Sequence, residues 1–254
     1  MRLKLTIAHL YPDLLDLYGD RGNIQSFVKR LKWRDYESEV LSICVGDRID
    51  FSQYDIVLLG GGTDRNQELA CHYLQEYKED FKNYVENDGV VLDLCGGYQM
   101  LGKYYYNNDK KIEGLGILDI TTTWKPKRFI RNIILKNSLF KTPIVGFENH
   151  SGRTRIGKHT SFGKVFFGVG NNGWSGHEGV MYKNLIGTYL HGPLLPKNPH
   201  VSDYLLEKAL SKKYKIQIKL YPLEDKVERL ANKVLVDRYS DKKYVLKETI
   251  KRYT

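Results

Sequence analysis

The chain has 254 residues, 41% of them hydrophobic and 28% charged, with a formal net charge of +10. That balance excludes a disordered chain and leaves room for one large α/β domain. No apolar run reaches the length of a membrane span, and the first residues lack the apolar core of a secretion signal. Three sparse cysteines, Cys44, Cys71 and Cys95, without CxxC spacing, fit a reducing, cytoplasmic setting. The basic residues are scattered, with short clusters such as Lys212-Lys213. A nucleic-acid binder would gather them on one face among aromatics.

Residues 3–10 read as a first strand. A polar loop follows, Tyr18-Gly19-Asp20-Arg21-Gly22-Asn23, and then a helix over 24–33 with Ile24, Phe27, Val28 and Leu31 at helical spacing. Strands are expected at 39–44 and 55–59. The second runs into Gly60-Gly61-Gly62-Thr63-Asp64, and a helix is expected over 66–86. Residues 90–94, Val-Val-Leu-Asp-Leu, form a fourth apolar strand. The alternation of strand and helix predicts a parallel sheet with helices on both faces, with ligands at the carboxyl ends of its strands. The second half carries short strand-like pieces at 114–120, 132–135, 144–148 and 164–169, expected to be antiparallel, and one more at 187–190. Helices are expected over 201–212 and from 224 to about 239, then a charged tail.

The stretch that organises the rest is Leu94-Cys95-Gly96-Gly97-Tyr98-Gln99, a strand turning sharply into a helix with a thiol at the hinge. Such an elbow pushes its hinge side chain out at the top of the sheet. Glycines let the backbone approach a substrate closely, and a helix N-terminus favours the nucleophilic thiolate. Taken alone, a single cysteine is as readily a small core residue. The histidine of Leu190-His191-Gly192-Pro193 follows a strand end and could serve as general base and acid, with His150 as its rival. The amides of Gly60, Gly61, Gly62 and Gly96 could hold a developing oxyanion, each such donor being worth roughly 3–4 kcal/mol of barrier. A cysteine, a histidine and an oxyanion hole together suit acyl transfer.

These motifs, with Gly146-Phe147-Glu148-Asn149-His150-Ser151-Gly152-Arg153, resemble those of class I glutamine amidotransferases of the cobyric-acid-synthase-like kind. Within that family the chain is most similar to the free-standing glutaminase subunits of lipid II isoglutaminyl synthase. The resemblance implies one amidotransferase domain over 1–240 with a tail at 241–254. It implies Cys95 attacking the side-chain amide of L-glutamine, His191 as partner base, and Arg128 clamping the substrate carboxylate. Gln99 and the Gly61 and Gly62 backbone would line the pocket beside Gly96. Many relatives carry a glutamate two residues after the histidine; here that residue is Pro193. Either a Cys–His dyad suffices or another acid orients His191, with Asp20 and Glu148 as candidates. No metal or cofactor is expected in this chain, which lacks a Walker-type ATP motif. ATP would be used by a Mur-ligase-like synthetase subunit that takes the ammonia and amidates lipid II. Contact with the inner face of the membrane would then be peripheral, through lipid II. Another acceptor of the cobyrinic-acid type, or a non-catalytic regulatory role, is the alternative.

Overall fold

The structure, a computed structural model, describes residues 2–241. The tail expected beyond Asp241 lies outside the described residues. The elements are β1 (Lys4–Leu10), α1 (Arg21–Lys32), β2 (Glu37–Ile43), β3 (Ile56–Leu59), α2 (Asp64–Leu74), α3 (Lys78–Glu86), β4 (Val90–Leu94) and α4 (Gly96–Met100). They continue with β5 (Tyr104–Asn107), β6 (Lys110–Glu113), β7 (Thr121–Asn137), β8 (Phe140–Arg155), β9 (Gly163–Phe167), β10 (His177–Glu178), β11 (Val180–Tyr182), β12 (Leu185–Thr188), β13 (Leu190–His191), α5 (Pro199–Tyr214) and α6 (Lys226–Ser240).

The main sheet runs β11-β12-β4-β3-β1-β2, parallel except for β11 at one edge. Its central strands are continuous apolar runs because both faces are covered. Val57, Leu59 and Val91 pack with Ala70, Leu74, Phe81 and Val85 of α2 and α3. Ile56, Leu58, Val90 and Leu92 pack with Ile24, Phe27 and Leu31 of α1 and Leu205, Leu206 and Leu210 of α5. The result is the three-layer α/β fold expected. On the outer layer, Arg30 and Arg34 form ion pairs with Asp203, and Arg30 also with Asp225, pinning α1 against α5.

Several boundaries differ from the expected ones. The helix expected over 66–86 is two helices, broken at 75–77 where the Gln75 amide donates to the carbonyls of Glu113 and Gly114. The strand expected at 114–120 is irregular. Its amides instead cap the end of α4, with Leu115 donating to Met100, Gly116 to Gly102 and Leu118 to Leu101. The short pieces at 132–135 and 144–148 are the apolar halves of β7 and β8, an antiparallel pair of 17 and 16 residues with a bulge between Trp124 and Phe129. Their polar halves carry no alternation that marks a strand. The strand expected at 187–190 also divides. β12 ends at Thr188 in the main sheet, and β13 pairs with β8 in the second.

Asp93, on β4, is fully buried, and neither of its carboxylate oxygens has a hydrogen-bond partner among the described residues. Burial pushes its carboxyl well above the usual carboxylate range. A raised folded-state value stabilises the protonated form only. The cost is therefore absent near pH 4 and grows as pH rises above the unfolded value. Asp93→Asn is expected to raise Tm at pH 7.5 by about 2–4 °C, with the difference vanishing near pH 4. Thermal melts across that range check it, and a shift independent of pH would refute it.

Candidate active site

Four adjacent parallel strands deliver the site. Asp20 follows β1, Gly60 to Gly62 follow β3, Cys95 follows β4, and His191 comes three residues after β12. All lie at the carboxyl edge, where α/β sheets bind ligands.

Cys95 has φ 50° and ψ −102°, a conformation that costs a non-glycine residue about 1–3 kcal/mol. The surrounding backbone enforces it. The Cys95 amide donates to Thr188 at 2.8 Å, and the Gly97 amide donates to Gly60 at 3.1 Å. A Cβ on Gly97 would sit 2.8 Å from the Leu59 carbonyl, and one on Gly96 would sit 2.9 Å from Gln67 Oε1. Glycine at both positions lets α4 seat directly on the end of β3.

The space around Gly61 shows what converges there. A methyl group built on it would meet Cys95 Cβ at 3.1 Å, His191 Cε1 at 3.4 Å and Asp20 Oδ2 at 3.8 Å. Three segments distant in sequence thus close around one glycine. Asp20 is the N-terminal cap residue of α1, but its carboxylate does not cap that helix. It accepts instead from the Gly61 amide at 2.9 Å, and its other oxygen lies 3.7 Å from His191 Nδ1. Both side chains are buried. Burial opposes the His191 imidazolium, but the Cys95 sulfur and the Asp20 carboxylate outweigh it and raise the imidazole to about 10.

Of the two acids considered, Asp20 stands beside the histidine. Glu148 is occupied elsewhere, accepting from the Val169 and Gly170 amides at 2.8 Å each. Burial raises it to about 7, against those amides. The Gly61 amide is spent on Asp20, which leaves Gly62 and Gly96 as the amides near the thiol without an acceptor among the described residues. Gln99 is spent as well. Its Oε1 accepts from Gln67 at 2.8 Å, and its Nε2 donates to the Tyr189 hydroxyl at 3.0 Å. It ties the elbow helix to the segment carrying His191. Sequence alone gave no signal for Tyr189 or Gln67.

A cavity of about 290 Å³ opens beside the thiol, lined by residues that include Cys95, Gly62, Asp64, Gln99, Arg128 and His150. It lies just below the about 300–1,000 Å³ typical of drug-sized clefts, a size suited to a single amino acid. Arg128 lies in the β7 bulge. Its Nε donates to Asn149 Oδ1 at 3.0 Å and its Nη2 to the Asn149 carbonyl at 3.1 Å. It has no carboxylate partner among the described residues, so a held guanidinium faces the cavity uncompensated. His150, the rival base, is neutral. Burial first, then Arg153, His191 and Arg128, lowers it to about 3. No cluster of metal-ligating side chains occurs among the described residues.

A strained thiol, a buried histidine with an acid behind it, and two unpaired amides form a constellation of the cysteine-dependent acyl-transfer class. Comparison with known proteins narrows this. Residues 6–199 match the CobB/CobQ-like glutamine amidotransferase domain. The chain belongs to that family of glutamine amidotransferases. It is 45% identical to the Lipid II isoglutaminyl synthase (glutamine-hydrolyzing) subunit GatD of Staphylococcus aureus, over 94% of this chain and 98% of that one. It is 40% identical to the subunit of the same name from Streptococcus pneumoniae, over 94% and 92%. A cobyric acid synthase of Listeria innocua is 33% identical, but over 56% of this chain and 29% of that one. Among solved structures, a glutamine amidotransferase of Thermotoga maritima shares the fold, with TM-score 0.51 and 16% identity over 92% of this chain and 94% of that one.

Proposed function

We propose that this chain is the glutaminase subunit of a two-subunit enzyme that amidates lipid II. The near full-length similarity to two subunits of that name carries the reading, and the grouping of Cys95, His191 and Asp20 around Gly61 supports it. Arg128 holds the α-carboxylate of glutamine, its fork matching two carboxylate oxygens. The Cys95 sulfur attacks the side-chain carbonyl, and the amides of Gly62 and Gly96 receive the developing oxyanion. As the C–N bond breaks, His191 gives its proton to the departing nitrogen, leaving a thioester and ammonia. Water then attacks the thioester, His191 takes its proton, and glutamate leaves with the thiol restored. Asp20 orients the imidazole throughout.

Ammonia released into neutral water becomes ammonium and is no longer a nucleophile. It therefore passes to a second polypeptide, an ATP-dependent Mur-ligase-like synthetase that activates the α-carboxyl of D-glutamate in the lipid II stem and forms D-isoglutamine. This chain needs no cofactor of its own, and it works in the cytoplasm, meeting the membrane only through lipid II. Among the described residues no helix is long and apolar enough to cross a membrane. The cobyrinic-acid alternative is less well supported, since the chain spans less than a third of the cobyric acid synthase it matches.

Co-expression with the synthetase, followed by a glutamine-dependent amidation assay on lipid II, tests the reading. Transfer of the glutamine amide nitrogen to the stem peptide is expected, and amidation indifferent to this subunit would refute it. Arg128→Ala is expected to raise KM for glutamine about 10–100-fold with kcat little changed, as loss of a charged bidentate contact predicts. An unchanged dependence on glutamine concentration would reject the clamp.

A further inference from the structure

We propose that His150 is a specificity-determining residue for the same reaction: its Nε2 accepts a hydrogen bond from the side-chain amide N–H of bound glutamine. The proposal rests on the glutaminase reading above.

The ring is held rigidly. It stacks on Tyr189 with centroids 3.6 Å apart and planes within 4°, and Phe129 meets it edge-on at 5.5 Å. Nδ1 lies 2.9 Å from the Gly152 carbonyl. A carbonyl can only accept, so Nδ1 carries the hydrogen and Nε2 presents a lone pair. Nε2 is buried and has no hydrogen-bond partner among the described residues. Burying an acceptor without a donor is unfavourable, and such an atom in the wall of a substrate cleft calls for an explanation.

The other parts of the substrate have partners of their own. In the cleft wall, Arg128 suits the substrate carboxylate and the Gly62 amide the oxyanion, which the Gly96 amide next to Cys95 suits as well. The α-ammonium has the carboxylate of Asp64 in the same wall. The amide N–H groups then need an acceptor at the reacting end. His150 stacks on Tyr189, the residue just before the strand that carries His191, and the Tyr189 hydroxyl is held by Gln99 of the elbow helix. Its charged neighbours Arg153, His191 and Arg128 are all basic and oppose its protonation. Nε2 therefore stays an acceptor. It pairs with the amide of glutamine and repels the carboxylate of glutamate, which favours substrate over product.

The test compares L-glutamine with L-glutamate γ-methyl ester, which has a side-chain carbonyl and a leaving group but no side-chain N–H. His150→Phe keeps the stacked ring and removes the acceptor. In the full-length protein with its synthetase partner, it is expected to lower kcat/KM for glutamine about tenfold or more while changing that for the ester less than about twofold. It should also tighten competitive inhibition by glutamate. His150→Gln, which restores an acceptor oxygen, is expected to bring the amide-to-ester ratio back toward wild type and provides the second variant should the phenylalanine fail to fold. A ratio unchanged in both variants, or an equal loss on both substrates, would overturn the proposal. Wild-type turnover of glutamine in the same assay reports separately on the glutaminase reading.

Discussion

Cys95→Ala is expected to bring glutamine hydrolysis down by about 10³-fold or more, to the background rate, while the fold and the association with the proposed synthetase persist. Among the described residues, no other cysteine lines the cleft. Cys44 lies on another part of the chain, just past β2, and Cys71 is buried, its thiol pushed up to about 11 by that burial. Removing a covalent nucleophile removes the whole two-step route, not one contribution to it. A companion variant separates chemistry from structure. Position 95 has φ 50°, which glycine adopts freely and alanine does not. Cys95→Gly is therefore expected to be equally inactive yet more stable than the alanine variant, by about 1–2 kcal/mol. Ammonia release and thermal melts check both halves. Activity of Cys95→Ala within tenfold of wild type would remove the mechanism.

Asp20→Asn carries the second large effect, an expected loss of about 10²–10⁴-fold in kcat, the range for disabling a general acid–base pair. Asparagine can still accept from the Gly61 amide, so the loop should hold its shape. The charge beside His191 Nδ1 is what disappears. Asp20 is among the groups that raise the imidazole to about 10. Without it, the imidazole falls back toward its ordinary value, and the alkaline limb of the kcat profile moves to lower pH. Stability follows the same sign. A histidine raised in the folded state contributes stability fully present below its unfolded value near 6.5, lost as pH rises through about 10. The variant should thus be less stable than wild type at pH 6.5, with the gap closing toward pH 10. An alkaline limb identical to wild type would show that Asp20 does not govern the histidine.

The parts of the site that sequence discloses are those encoded within one turn of chain. Leu94-Cys95-Gly96-Gly97 is a strand end, a hinge and a helix start in consecutive residues, and its chemistry follows from that order. Leu58-Leu59-Gly60-Gly61-Gly62 is similar. The central strands were equally plain, because burial on both faces makes them unbroken apolar runs. The polar halves of β7 and β8 were not: the first is largely exposed, and the second buries polar residues such as His150, Arg153 and Thr154, so neither makes an apolar run.

Sequence by itself therefore determined the α/β class, the family, and the thiol and imidazole proposed here to do the chemistry. Tertiary structure alone decided which acid stands behind His191. Asp20 and Glu148 have the same chemistry, and only the packing of β1 beside β3 brings the first to Gly61 while the Val169 and Gly170 amides claim the second. It also decided that Gln99 braces the elbow and that His150 is neutral. Hydrogen-bond partners and desolvation depend on neighbours far apart in the chain, and no local pattern of residues records them.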